Sequence, residues 1–299
     1  MMLSVLSARI DRYAEKLDFP QDAREELQAV LQKIAANGVS FSHFCEILST
    51  YEQDCFCHFT PLKDEMERIC AKLGIHPFTG RLLMYLCMLD TMRAHYAARD
   101  IDDEIFESAI CDLSYKLGEC RRVHGVNGLI SPLWFSGFLK LKRFALGRLQ
   151  FELTNLKKPY TCAGNPLPEG ALAIDVHIPR TGTPLLHTEV LAAYQKAREF
   201  FRDSFADKPV VFTCYSWMLD PFNLAVLSPN SNMALFARDF EIVEVDTCLD
   251  YRQLTFVFEC VYNGDPATLP QDTSLRRAYA ARIARGEMPC VGRGIFILE

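Results

Sequence analysis

The apolar residues of this chain change period near residue 125, and that change limits the folds open to it. Before it, Leu3, Leu6, Ile10, Tyr13 and Leu17 recur at intervals of three and four and form one helical stripe. Leu27, Val30, Leu31 and Ile34 form a second stripe, which stops at Asn37-Gly38, a helix C-terminal signal. The same spacing predicts helices over 40–51, 61–73, 78–98 and 103–120.

After residue 125 the period is two. Leu149, Phe151 and Leu153 alternate with Arg148, Gln150 and Glu152, and Leu172, Ile174, Val176 and Ile178 alternate with Ala173, Asp175 and His177. A helix carrying Val190, Tyr194, Ala197 and Phe201 follows, then a β-branched and aromatic strand from Val210 to Tyr215. Short helices are expected around 219–226 and 231–238, strands around 240–247 and 253–262, a charged helix over about 273–286, and a last strand over 294–298. Gly292-Arg293-Gly294 reads as a turn into that strand. The fold class is therefore α+β: an all-helical N-terminal domain over 1–124 and a mixed α/β domain over 125–299.

Charge narrows the partners. The 299 residues carry 38 acids against 32 bases, a net charge of -6, which argues against a surface built for a nucleic-acid backbone. Residues 1–124 hold 20 acids and 14 bases, so the excess lies wholly in the helical part. No window approaches the roughly 18 uninterrupted apolar residues of a membrane span. The first residues are broken by Arg9, Asp11 and Arg12, which is too soon for a signal peptide. Twelve cysteines contain no Cys-x-x-Cys pair and mostly fall in apolar runs such as Met84 to Leu89, which fits a reduced, cytoplasmic protein. Cys55-x-Cys57-His58 has no second ligand pair to complete a zinc site, so no metal is expected.

No phosphate loop of the Walker type, nucleophile elbow or His-Glu-x-x-His is present. Between a strand and a helix, Pro179-Arg180-Thr181-Gly182-Thr183-Pro184 is more informative. A glycine-containing loop that opens a helix offers backbone N–H groups and a positive dipole end to a phosphate, and Arg180 adds a charge. It also fits an ordinary connection that needs Gly and Pro for geometry. On the strands, Arg148, Gln150 and Glu152 share one polar face and Asp175 and His177 share another. Those faces would line a substrate cleft with a general base toward an amine, or lie solvated on the outside. Cys214-Tyr215-Ser216-Trp217 ends a strand; Tyr215 or Ser216 would give a proton to a leaving thiolate, and Trp217 would floor a pocket. Cys214 with His177 leaves open a cysteine-dependent hydrolase.

Arg148-Leu149-Gln150-Phe151-Glu152, Val176-His177-Ile178-Pro179, Ala197-Arg198-Glu199-Phe200-Phe201, Cys214-Tyr215-Ser216-Trp217-Met218-Leu219 and Ser231-Asn232-Met233 with Phe236 together resemble a bacterial family of acyltransferase-domain proteins. Its members join a helical N-acyltransferase-type N-terminal domain to a GNAT-like C-terminal domain. The resemblance implies direct transfer of an acyl group from acetyl-CoA or another acyl-CoA to an amine or hydroxyl of a small acceptor. It makes 171–178 the fourth strand, 187–203 the following helix and 209–215 the fifth strand, with the thioester between the two strands. Val176, Ile178, Arg180, Thr181, Gly182 and Thr183 would then hold coenzyme A, Glu152 or His177 would serve as base, and Arg148, Gln150, Asp175, Trp217 and Asn232 would meet the acceptor. The acidic helical domain would favour a cationic amine. GNAT enzymes usually carry Arg/Gln-x-x-Gly-x-Gly/Ala in this loop, whereas Arg180-Thr181-Gly182-Thr183 has one glycine at a different spacing, which keeps open a non-catalytic member that binds a metabolite or protein.

Overall fold

A computed structural model describes residues 2–206, 208–247 and 253–298. The chain divides after Phe144 into two compact units.

In the first unit, six helices α1 (Met2–Lys16), α2 (Gln21–Ala35), α3 (Gly38–Gln53), α4 (Phe59–Leu73), α5 (Pro77–Ala97) and α6 (Asp103–His124) are followed by one short turn of helix, α7 (Ser136–Leu139). The run Leu82 to Leu89 is buried on every side of α5, because α1, α2, α3, α4 and α6 all pack against this helix. A helix apolar all round belongs at the centre of a bundle. The ends follow local chemistry: Asn37 caps α3 by accepting from the Ser40 amide, Pro77 opens α5, and Gly74 closes α4 at φ 60°. Residues 125–144 are pinned to these helices by hydroxyl and guanidinium donors. Tyr51 donates to the Leu139 carbonyl, Tyr85 to that of Pro132, and Arg81 to those of Leu129 and Ile130. No helix among the described residues is long and apolar enough to cross a membrane.

The second unit is built on a six-stranded sheet. Its strands are β1 (Arg143–Leu146), which begins two residues before that division, β2 (Leu149–Asn155), β5 (Leu172–His177), β6 (Val210–Ser216), β7 (Glu241–Thr247) and β8 (Cys290–Leu298), in the order β1-β2-β5-β6-β8-β7. A separate hairpin, β3 (Tyr160–Cys162) and β4 (Asn165–Leu167), lies outside the sheet. The helices are α8 (His187–Phe200), α9 (Arg202–Phe205), α10 (Pro221–Val226), α11 (Asn232–Arg238), α12 (Leu254–Phe258) and α13 (Ser274–Ala284). The helix expected over 187–203 thus breaks at Phe201.

One face of the sheet is aromatic. Tyr194 of α8 meets Phe151, Phe212 and Phe296 at centroid distances of 6.5, 5.5 and 4.8 Å, and Phe212 stacks on Phe296 at 4.7 Å. The opposite face is divided along the strands. At one end Ala173, Val211 and Ile295 are buried with Leu156, Cys162 of β3 and Leu167 of β4. The other end is polar.

Two expectations are corrected. Residues 254–258 are helical, although Leu-Thr-Phe-Val-Phe is a strand-like composition. Leu254, Val257 and Phe258 fall at helical spacing and are buried together with Leu269, Tyr279 and Ile283, while β8 is already paired on both sides, by β6 and β7. Gly292-Arg293-Gly294 is not a turn but the middle of β8. A Cβ at Gly292 would stand 2.2 Å from the Leu219 carbonyl oxygen, and one at Gly294 would stand 2.6 Å from Phe240 Cβ. These glycines let the turn Trp217–Leu219 and Phe240 press against the strand, which explains glycine in a strand interior.

Candidate active site

Register creates the polar end of the sheet. β2 and β5 pair antiparallel with Gln150 opposite His177 and Glu152 opposite Asp175, so all four side chains share one face. β5 and β6 run parallel, with Asp175 beside Thr213, and β6 pairs with β8 so that Tyr215 faces Arg293. His177 Nε2 lies 3.8 Å from Glu152 Oε2 and 3.8 Å from Asp175 Oδ2. The three side chains are partly exposed, at 20% for His177, 28% for Glu152 and 25% for Asp175. Two carboxylates therefore flank one imidazole. The ligand atoms of these three residues also lie within 4.8 Å of one another, close enough to hold one cation.

The ladder between β5 and β6 is short. Its register pairs are Ile174 with Phe212 and Asp175 with Thr213, whereas the strands continue to His177 and Ser216. Thr213 Oγ1 is buried beside Asp175 with no hydrogen-bond partner among the described residues. A buried hydroxyl without a partner calls for a group that reaches it.

At the end of β6, Tyr215 Oη donates to Asp246 Oδ2 at 2.9 Å, and the Arg293 guanidinium lies 4.8 Å from the ring centroid. Arg293 also reaches Glu244 at 3.5 Å. Ser216 Oγ accepts from the Met218 amide at 3.1 Å and caps the turn Trp217–Leu219. Trp217 packs against the α12–α13 cluster, edge-on to Tyr279 at 6.5 Å, and Asn232 is the first residue of α11.

The loop after β5 is braced from within. Arg148 donates to the carbonyls of Pro179 at 3.1 Å, Thr183 at 3.3 Å and Pro184 at 3.5 Å. The Thr181 amide bonds to the Pro179 carbonyl, and the Thr183 amide to Thr181 Oγ1. Gly182 turns the loop at φ 82°, where a side chain would be strained. Arg180 Nη1 pairs with Glu259 Oε1 at 2.8 Å, and Arg180 also donates to the Phe256 carbonyl. Loop and helix meet at α8, whose N-cap, Leu186, supplies no side-chain hydrogen bond. His187, the first residue of α8, pairs with Asp239 at 2.8 Å; burial pushes the Asp239 carboxyl up, against the pull of His187 and Tyr194.

The structure thus brings Glu152, Asp175 and His177 together, as alternation allowed, and places Val176 and Ile178 around His177 at the end of β5. Arg148 is spent on loop carbonyls and Trp217 on an apolar cluster. Cys214 is corrected as a nucleophile. It is fully buried, and burial, reinforced by Asp175, pushes its thiol well above the usual range. Asp246, Glu259 and Arg276 escaped the sequence reading because each meets a residue distant in the chain, and Thr213 escaped it because only strand register sets it beside Asp175. Arg293 carried a signal, its place between two glycines.

The model of the N-acyltransferase N-terminal domain matches residues 8–141, and that of the GNAT-like C-terminal domain matches 143–296. No match is found among curated proteins. Among solved structures, an acyltransferase in complex with decanoyl-CoA and teicoplanin is 23% identical, with a TM-score of 0.72, covering 97% of this chain and 87% of that one. An acyltransferase with CoA and 10C-teicoplanin is 24% identical at a TM-score of 0.73, covering 96% and 86%. An acyltransferase mutant with octanoyl-CoA is 23% identical at 0.71, again covering 96% and 86%. The chain belongs to the family of GNAT-like acyltransferases that carry an N-acyltransferase N-terminal domain.

Proposed function

We propose that the protein transfers an acyl group from a coenzyme A thioester directly to the amine of a small cationic acceptor, with His177 taking the amine's proton. The observation that carries this reading is the meeting of Glu152, Asp175 and His177 on the face of the sheet where the β5–β6 ladder ends. The two carboxylates attract a protonated amine, and His177 accepts its proton while both carboxylates face the charged ring. The amine nitrogen then bonds to the carbonyl carbon, the carbon–sulfur bond breaks, and the electron pair leaves on sulfur. Backbone amides near 176–178 and at the end of β6 polarise the carbonyl oxygen. The thiolate takes a proton from Tyr215; strand alternation favours it over Ser216, because Tyr215 shares the face of His177. Holding both substrates side by side supplies much of the barrier reduction without a covalent enzyme intermediate.

Three further features support a coenzyme A donor. Thr213 offers a buried hydroxyl where the strands stop pairing. The start of α8 has no side-chain cap, and Arg148 stiffens the loop from Arg180 to Thr183 in front of it. Structures of similar fold hold decanoyl-CoA, octanoyl-CoA or CoA, and two also hold teicoplanin or 10C-teicoplanin.

Calorimetric titration with acetyl-CoA and decanoyl-CoA, followed by thiol release against a panel of amines, tests this reading. Saturable heat and amine-dependent thiol release are expected. Absence of binding at millimolar donor would remove the donor, and binding without turnover against any amine would leave a non-catalytic protein.

A further inference from the structure

Beyond the loop, two guanidinium groups converge on one carboxylate. Arg180 Nη1 reaches Glu259 Oε1 at 2.8 Å, and Arg276 Nη2, from the first turn of α13, reaches Glu259 Oε2 at 3.0 Å. Arg276 is held in place from other directions: its Nε donates to the Val257 carbonyl at 2.9 Å and its Nη1 to both oxygens of Asp272, at 2.9 and 3.0 Å. Its remaining nitrogen is therefore aimed. Glu259 follows α12 in the left-handed region, at φ 55°, a conformation unfavourable for a residue with a side chain. An oxyanion bridged by one guanidinium nitrogen from each of two arginines, beside the loop that carries Arg180, is held as a phosphate oxyanion is held by paired charged donors.

We propose that Arg180 and Arg276 form a clamp for the 3′-phosphate of coenzyme A, and that Glu259 occupies the clamp until the donor arrives. This rests on the coenzyme A reading above. The diphosphate takes the loop and the start of α8. The Arg180 side chain leaves that loop toward α12 and α13, where the ribose-borne phosphate, one sugar further on, meets it together with Arg276. Asp272 offsets part of the Arg276 charge, yet the phosphate brings more negative charge and more acceptor oxygens to the two arginines than the Glu259 carboxylate does, and Glu259, itself partly exposed, turns out toward water. Arg276 thereby becomes a specificity residue that distinguishes coenzyme A from its dephospho form.

The test is calorimetry of coenzyme A and dephospho-coenzyme A on the full chain, as wild type, Arg276→Ala and Glu259→Gln, with thermal melts alongside. Wild type should prefer coenzyme A by about tenfold or more, as expected for a charge-assisted contact. Arg276→Ala should weaken coenzyme A by about 10- to 100-fold and leave dephospho-coenzyme A within about twofold. Glu259→Gln, which removes the competing anion, should bind coenzyme A several-fold more tightly. Should Arg276→Ala lose its fold, the Glu259→Gln result decides. Equal wild-type affinity for the two nucleotides, a loss in Arg276→Ala shared by both, or unchanged or weaker binding by Glu259→Gln overturns the clamp while the donor reading stands. Failure of both nucleotides to bind wild type at millimolar concentration overturns both.

Discussion

The geometry around His177 makes a quantitative prediction, because both carboxylates lie at the same 3.8 Å from Nε2. With an effective dielectric of about 20, each attracts an imidazolium by about 4 kcal/mol. Both groups are about a quarter exposed, and solvent screening reduces that to about 1–2 kcal/mol each. Glu152→Gln and Asp175→Asn should therefore lower kcat/KM by similar amounts, about 5- to 30-fold. His177→Ala removes the base itself and should cost about 100- to 10,000-fold. Since the carboxylates act through the ring, adding Glu152→Gln to His177→Ala should cost little more. Amine-dependent thiol release, measured with saturating acyl-CoA on variants whose melting is unchanged, provides the assay. Full activity in His177→Ala, or fully multiplicative losses in the double variant, would refute the reasoning.

Other outcomes follow from the packing. Asp220 is 2% exposed and accepts from Arg282 at 2.6 Å, the Cys290 amide at 2.9 Å and the Phe222 amide at 3.0 Å, so Arg282→Met should cost about 3–5 kcal/mol, with Asp220→Asn added to it restoring part; urea unfolding reads both. Gly292→Ala sets a Cβ against the Leu219 carbonyl and should cost about 1–3 kcal/mol in the same experiment. Burial holds the thiols of Cys70 and Cys120 up to about 11 and that of Cys87 up to about 12, so native-state thiol titration at about pH 8 should leave these and Cys214 unreacted until denaturant is added. Burial acts to raise the Asp90 carboxyl, but hydrogen bonds from Tyr13 and Arg12 and the charge of Arg9 outweigh it and hold it below its ordinary 3.8. The unfolded chain then takes the proton at higher pH than the folded one. Asp90's contribution is present above the ordinary value and lost as pH falls through the folded one, and Asp90→Asn should flatten the fall in urea midpoint between about pH 5 and pH 3.

Much of this was legible in the sequence, for a definable reason. Helical stripes and strand alternation are local: Leu3 to Leu17 and Leu149 to Leu153 commit their segments to one period whatever packs on them, and alternation alone put Gln150 with Glu152 and Asp175 with His177. Resemblance then supplied the family.

What no local pattern contains is which strand lies beside which, and in what register. A one-residue slip between β2 and β5 would turn Glu152 and Asp175 to opposite faces, so the cluster with His177 exists only through the pairing. Residues 254–258 have a strand's composition but become helix, because both edges of β8 are taken and a buried apolar cluster is at hand. Arg148 reads as part of a polar strand face and ends on carbonyls more than thirty residues away. Sequence by itself set the two halves, their periods and the residue types offered on each face. Tertiary structure decided which of those residues meet, since hydrogen-bond ladders, ion pairs and close packing are contacts between distant segments and are realised only when the chain closes on itself.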